Sequence, residues 1–342
     1  MTRGLVFGKF MPLHRGHQLV IERALSEADA VTVVVYDSAP PGVYPPMPLD
    51  LRVSWVAELY PELEAIVPMP DPRRDFNDGD DPAYAELYAQ DLHFLGRFDR
   101  VFTSESGYER FARLLAAEHL VVDEARQLVP TSGTAIREDV YAHRDWLDPR
   151  VYASLVRKVA LVGTESTGKS TLAAMLASGL DTLWAHEYGR ELWVEQGGAS
   201  YADYLEIART QYRREEQMRL HARTFLFCDT TAWTTLQWCL WMHGAADPRL
   251  QGLVDRTMSD YTWFVCDDDF AWVQDGWRVM GEGEAHRFQE HQLEDLELRG
   301  VPYVVLSGSP ERRRELVLEA LGGVASRARA RGGGRSPSSE PR

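Results

Sequence analysis

Residues 159–171 read VALVGTESTGKST, an apolar run followed by a turn that fits G-x-x-x-x-G-K-[ST]. Apolar spacing resumes from Leu172 to Ala177 and makes the next segment a helix. Strand, glycine turn and helix in that order are the context in which this pattern cradles phosphate. Gly163 and Gly168 permit the backbone angles that turn amide N–H groups toward phosphate oxygens, and the helix start adds positive potential. On this reading Gly163, Glu165, Ser166, Thr167, Gly168, Lys169, Ser170 and Thr171 form an ATP site. Lys169 bridges the β- and γ-phosphates there, and the Ser170 hydroxyl ligates Mg2+.

Working outward, a P-loop needs a carboxylate at the end of a neighbouring strand to hold the metal shell. The run Phe225-Leu226-Phe227-Cys228 ends in Asp229, which fits that role. Glu187 and Arg190, in HEYGRE, follow a short strand candidate where a substrate hydroxyl could be met; taken alone they would be an exposed ion pair. The segment WVQDGWR, Trp272 to Arg278, with Arg287 beyond it, combines aromatics, a carboxylate and cations. Small-molecule kinases close such a lid over the nucleotide and exclude water. A Trp-rich amphipathic segment read by itself is more often core.

The same supersecondary unit begins at the amino terminus. Leu5-Val6-Phe7 and Val31 to Tyr36 are strand candidates flanking a helix from Gly16 to Ala28, the opening of a βαβ unit and so of a parallel sheet. Between the first strand and that helix stands GKFMPLHRGH, residues 8–17. His14 and His17, three apart, share a face at the helix start, and Gly8 and Gly16 let backbone approach phosphate. Two imidazoles beside helix-start amides suit stabilisation of charge on an α-phosphate during nucleotidyl transfer, with no protein nucleophile. A metal pair is the competing reading, but no third ligand stands at a convincing spacing. Residues 132–137, SGTAIR, add a hydroxyl-and-glycine turn whose Arg137 can grip the departing β/γ-phosphates. Further strands are expected at Arg100–Thr103, His119–Val122, Tyr261–Val265 and Pro302–Leu306, with a helix from Leu49 to Leu59. A proline-rich loop runs from Pro40 to Pro48, and an acidic one from Asp71 to Asp81.

Composition narrows the class. The 342 residues suit two domains, and the net charge of −15 argues against a broad nucleic-acid footprint. Cys228, Cys239 and Cys266 include no C-x-x-C pair, which argues for a reducing, cytoplasmic compartment and against a zinc knuckle. No apolar run reaches the ~18 residues of a membrane-spanning helix, so no membrane insertion is expected. Only Lys9, Lys158 and Lys169 are lysines among 37 basic residues, and two of them lie in the glycine-rich motifs. Ammonium and guanidinium are not interchangeable in a tight phosphate site.

Together the two halves resemble the NadR family, a bifunctional nicotinamide-mononucleotide (NMN) adenylyltransferase joined to a ribosylnicotinamide kinase. GKFMPLHRGH and SGTAIR are similar to its adenylyltransferase signatures; GTESTGKST, HEYGRE, CDTTAWTT and WVQDGWR are similar to its kinase signatures. The resemblance runs from about residue 3 to residue 320. It implies an α/β architecture: a Rossmann-like nucleotidyltransferase domain over 1–150, a P-loop kinase domain with parallel sheet and lid over 157–322, and a disordered tail over 323–342. It implies ATP contacts at Gly8, Lys9, Phe10, His14, His17, Ser132, Gly133, Thr134 and Arg137 in the first half. In the second it implies riboside contacts at Glu187, Arg190, Trp272 and Asp275, and Arg278 on the nucleotide. Mg2+ is the implied metal, held by Ser170 and Asp229, and nicotinamide riboside, NMN and ATP are the implied substrates. The resemblance leaves room for a homo-oligomer and for functional coupling to a riboside transporter. Some members begin with a DNA-binding helix-turn-helix; the first motif here starts at Gly8, so DNA binding is not expected. Two further departures stand out. Thr231 replaces the second acid of the usual DTD, and Gln274 the first acid of the lid. The competing function is a sensor that binds NAD+ or ATP without useful turnover.

Overall fold

β1 (Arg3–Gly8) forms because its apolar residues can be buried from both faces, and it pairs in parallel with a strand on each side. The computed structural model describes residues 1–37, 45–71, 82–270 and 280–322. From β1 the chain runs through α1 (Arg15–Glu27), β2 (Ala30–Asp37), α2 (Leu49–Leu59), β3 (Ala65–Pro70) and α3 (Pro82–Asp91). It continues with β4 (Arg100–Thr103), α4 (Glu109–Leu114), β5 (Glu118–Val121), α5 (Gly133–Glu138) and α6 (Pro149–Leu155). The sheet order is β3-β2-β1-β4-β5, parallel at every pairing. The chain reverses direction across the sheet between β1 and β4, and such a switch point opens a crevice at the carboxyl ends of the strands.

A second unit starts at Val156. It comprises β6 (Arg157–Val162), α7 (Lys169–Gly179), β7 (Leu183–Ala185), α8 (Tyr188–Gln196), α9 (Asp203–Arg219) and β8 (Phe225–Asp229). Then come α10 (Ala232–His243), α11 (Pro248–Thr257), β9 (Tyr261–Cys266), α12 (Glu282–Leu298), β10 (Tyr303–Leu306) and α13 (Pro310–Ala320). Its order, β10-β9-β6-β8-β7, again puts the first strand at the centre and the switch beside it.

Most expected elements sit within a residue or two of their sequence positions. The fifth strand occupies Glu118–Val121 rather than His119–Val122, and the P-loop helix runs from Lys169 to Gly179 rather than from Leu172 to Ala177. β3 was not among the expected strands, and its Pro68 and Pro70 bring no N–H donor to a ladder. It is an edge strand, paired only to β2 with Val35 opposite Pro68, and an edge tolerates a residue without an N–H donor. Pro40 and Pro41 of the proline-rich loop, most of the acidic loop and the carboxyl-terminal tail lie outside the described residues.

Two buried cations tie distant segments together, and the first of them fixes a loop of the first site. Arg52 on α2 has no exposed side-chain surface. Its Nε donates to Met47 O (2.9 Å), its Nη1 to Lys9 O (2.8 Å) and Tyr36 O (2.7 Å), and its Nη2 to Asp37 Oδ1 (3.2 Å). One guanidinium thus ties the loop after β1 to the end of β2 and the approach to α2. Lys158, the lysine outside the glycine motifs, is 1% exposed in β6 and pairs with Glu216 (2.9 Å), Glu215 (3.5 Å) and Asp260 (3.5 Å). It is a buried structural cation.

Arg52→Met should therefore destabilise the first unit by about 2–4 kcal/mol, since buried carbonyls lose their donors. Arg52→Lys should recover little, because one ammonium cannot span carbonyls lying in a guanidinium's plane. Chemical denaturation of the two variants checks this; equal stability of Arg52→Met and the parent would remove Arg52 from the account.

Candidate functional sites

The start of α1 is capped by two imidazoles. His14 occupies the N-cap, where its Nδ1 accepts from Gly16 N–H at 3.1 Å. His17 Nδ1 in turn accepts from His14 N–H at 3.3 Å. This is a capping box with histidines where hydroxyl and carboxylate residues usually stand. Its chemical consequence is definite: with both Nδ1 atoms used as acceptors, each neutral ring carries its proton on Nε2, facing away from the cap. The rings lie 3.8 Å apart between centroids, and Phe10 meets His17 edge-on at 5.0 Å. Burial, with the charges of Arg126 and Arg137, lowers the His14 pKa to about 4. Burial and the neighbouring His14 hold His17 well below its usual value. Both rings are neutral donors at pH 7.

Gly16 is required by this cap, since a Cβ there would meet His14 Cε1 at 2.9 Å. Gly133, in the second motif, has Met11 O and Arg137 Nη1 at 3.1 Å and His14 Cδ2 at 3.9 Å from where its Cβ would stand, so the two motifs converge. Ser132 caps α5 through Ala135 N–H (3.2 Å). Arg137 donates to Met11 O (2.7 Å) and Thr134 Oγ1 (3.0 Å). His14, His17, Gly16, Ser132, Gly133, Thr134 and Arg137 line one cleft of about 240 Å³ with Lys9, Phe10 and Thr131, whose buried hydroxyl has no hydrogen-bond partner among the described residues. Gly8 is not among the lining residues; the Phe10 ring lies 3.4 Å from where its Cβ would be. Reading the sequence motif by motif missed Arg126, Asp123 and Glu105 on the same cleft, because no fixed spacing marks them.

In the second unit the P-loop joins β6 to α7. Gly168 sits at the N-cap with φ 78° and no side-chain cap, so the helix-start amides stay open. Gly163 has φ 132°, and a Cβ there would stand 2.6 Å from Cys266 O. Lys169 Nζ donates to Thr164 O (2.6 Å) inside the loop, and the buried Ser166 Oγ and Thr164 Oγ1 have no hydrogen-bond partner among the described residues. Gln289 of α12 bridges Thr164 N–H (2.7 Å) and Cys266 O (3.0 Å). Buried Arg313 donates to Thr167 O (2.6 Å), Asp267 O (3.0 Å) and Gly308 O (2.9 Å), with Phe270 beneath its guanidinium. Ser170 is half-buried in the first turn of α7, whereas Thr171 is exposed.

Asp229 ends β8 in register with Leu161, just before the P-loop. It is 3% exposed, and its Oδ1 has no hydrogen-bond partner among the described residues. An open carboxylate oxygen beside a phosphate-binding turn fits the water shell of a divalent cation. Glu187, at the N-cap of α8, has its pKa raised by burial and then by Asp229, with Lys169 and Arg190 opposing. Arg190 is mainly exposed and pairs with Glu187 at 3.4 Å. Thr231 has a physical reason to replace an acid: it caps α10, its Oγ1 accepting from Thr234 N–H while Thr234 Oγ1 accepts from Thr231 N–H. Trp272, Gln274, Asp275, Trp277 and Arg278 lie outside the described residues, and Arg287 is exposed on α12.

The AAA domain family matches residues 158–313. The chain is 29% identical over 353 aligned residues to the trifunctional NAD biosynthesis/regulator protein NadR of Escherichia coli K12, covering 94% of this chain and 84% of that protein. A crystal structure of a NadR protein in complex with NR aligns with TM-score 0.57 at 22% identity, covering 95% of this chain and 96% of that one. Another, in complex with NAD and AMP-PNP, gives 0.55 at 22% identity, covering 99% and 98%. No helix among the described residues is long and apolar enough to cross a membrane.

The capping geometry makes a spectroscopic prediction. In a 15N-edited NMR titration both histidines should be Nε2–H tautomers at neutral pH, with His14 titrating at about 4. Because the folded pKa lies below the unfolded ~6.5, the stability from keeping His14 neutral is complete above that value. It is lost as pH falls from there toward about 4. An Nδ1–H tautomer for either ring would contradict the cap.

Proposed function

We propose that this NadR homologue carries two ATP-dependent transferase sites acting in sequence. The half spanning residues 157–322 phosphorylates nicotinamide riboside to NMN. The half spanning residues 1–150 joins NMN to the adenylyl group of a second ATP, giving NAD+ and pyrophosphate. The observation that carries this reading is the pair of phosphate cradles, one at the carboxyl end of the central strand of each sheet.

In the first half, a phosphate oxygen of NMN attacks the α-phosphorus of ATP. The bond to the oxygen bridging toward the β-phosphorus breaks, and its electron pair leaves on pyrophosphate. No protein nucleophile is needed; donors must instead be fixed where charge develops. His14 and His17 supply two Nε2–H groups already oriented by the backbone. Ser132, Gly133 and Thr134 provide the turn that receives the departing phosphates beside Arg137, with Lys9 and Phe10 bordering the same nucleotide.

In the second half, the riboside hydroxyl attacks the γ-phosphorus of ATP and Glu187 accepts its proton; the bond from the γ-phosphorus to the oxygen bridging toward the β-phosphorus breaks, and its electron pair leaves on ADP. A carboxyl whose pKa is raised suits a base working near neutrality. Lys169 exchanges its loop carbonyl for the β- and γ-phosphates. Ser170 and Asp229 would hold the magnesium ion accompanying ATP, which when bound neutralises charge on those phosphates. Arg190, Trp272 and Asp275 are assigned to the riboside, and Arg278 to the transferring phosphoryl group, on the family resemblance. The riboside carries a permanent pyridinium charge and does not cross a bilayer unaided, so this half would draw on a riboside transporter.

His17→Ala should lower NAD+ synthesis from NMN by ~10²–10³ while riboside phosphorylation persists. Lys169→Ala should do the reverse. Incubation with labelled riboside and ATP, followed by separation of mononucleotide from dinucleotide, reads both. Loss of both activities in either variant would contradict two sites, and no ADP or NAD+ from the parent would leave a binding sensor.

A further inference from the structure

Arg126 lines the same cleft as Lys9, His14 and Arg137. The turn that presents it is held by one carboxylate. Asp123 accepts from Gln127 N–H (2.8 Å), Leu128 N–H (3.1 Å) and Val129 N–H (3.0 Å). Burial would raise its pKa, but these backbone donors outweigh burial and hold it below the usual range. Arg126 N–H closes the turn onto Asp123 O at 2.8 Å, and Asp123 and Arg126 both adopt positive φ, 53° and 51°. A residue in that conformation carries a backbone cost that a merely solvent-facing turn need not bear.

The turn sets Arg126 on the cleft that also holds His14 and Arg137. The two guanidiniums differ in how they are committed. Arg137 donates to Met11 O and Thr134 Oγ1. Arg126 meets Glu105 at 3.8 Å, with the two side chains 51% and 58% exposed. Such a pair contributes little and yields readily to a more highly charged partner. Pyrophosphate is that partner, and its planar-fork recognition by guanidinium is stronger than a lone carboxylate contact.

We propose that Arg126 is a second cationic contact for the leaving pyrophosphate of adenylyl transfer, passing from Glu105 to the phosphates when nucleotide binds. This rests on the adenylyltransferase reading of the first half. As the bond between the α-phosphorus and its bridging oxygen breaks, the electron pair moves onto pyrophosphate, and Arg126 and Arg137 receive that charge from two sides. Asp123 acts through Arg126, as a positioning residue.

The test is the reverse reaction of the full chain, NAD+ plus inorganic pyrophosphate giving NMN and ATP. Arg126→Gln should raise the KM for pyrophosphate about tenfold or more and lower forward turnover by ~10²-fold. Riboside phosphorylation should stay within about twofold of the parent, since Arg126 has no part in that reaction. Arg126→Lys should restore part of the loss, because it returns charge without the fork. Glu105→Gln, which frees the guanidinium, should lower the KM for pyrophosphate. A purely structural role would move none of these selectively for pyrophosphate. An unchanged KM for pyrophosphate in both Arg126→Gln and Arg126→Lys overturns the proposal. Failure of the parent chain to interconvert NMN and NAD+ would instead overturn the adenylyltransferase reading beneath it.

Discussion

A helix start has backbone donors with no partner inside the helix, and the proposed function requires this chain to satisfy some of them while keeping others for phosphate. The first unit solves the problem with imidazole. A serine or aspartate cap would accept from the same amides, but would present oxygen lone pairs or negative charge beside an incoming phosphate. A neutral imidazole accepts with Nδ1 and donates with Nε2, so His14 and His17 complete the cap and keep an Nε2–H, which on the proposed function serves the nucleotide. The second unit uses the opposite solution. Gly168, in the left-handed conformation, places no side chain over the start of α7 and leaves its amides uncapped by a side chain.

Both arrangements need loops that do not relax, and each is tied by a buried arginine. Arg52 gathers the carbonyls of Lys9, Tyr36 and Met47; Arg313 gathers those of Thr167, Asp267 and Gly308. In each case the fork draws together segments at the carboxyl edge of a sheet, where the phosphate turn leaves it. This gives a physical meaning to the preference for arginine in composition. Guanidinium can bind several carbonyls in fixed directions, whereas Lys169 is a compact charge held on Thr164 O, which the proposed function has move to phosphate.

The sequence made the central strands, both phosphate turns and their neighbouring histidines legible, because those features depend on local spacing. It did not reveal β3, whose prolines are admissible only because the strand lies at an edge, a fact of sheet order. Nor did it reveal Arg52, Gln289 or Arg313, whose partners lie far along the chain. Thr231 shows the converse. As a motif position it looked like a lost carboxylate, and only the geometry of α10 identifies it as the helix cap. Arg126 belongs with the second group: its place on the cleft follows from the turn built by Asp123, not from a motif.

If the two cradles are separate sites joined by a diffusing mononucleotide, each should work beside a partner site disabled in another molecule. The most direct measurement mixes the Lys169→Ala and His17→Ala proteins with nicotinamide riboside and ATP, and follows NMN and NAD+ over time. Two independent sites predict that the mixture makes NAD+ after a lag in which free NMN accumulates, though neither protein alone does so. A mixture that accumulates NMN without forming NAD+, while the Lys169→Ala protein also fails to adenylylate added NMN, would contradict the account.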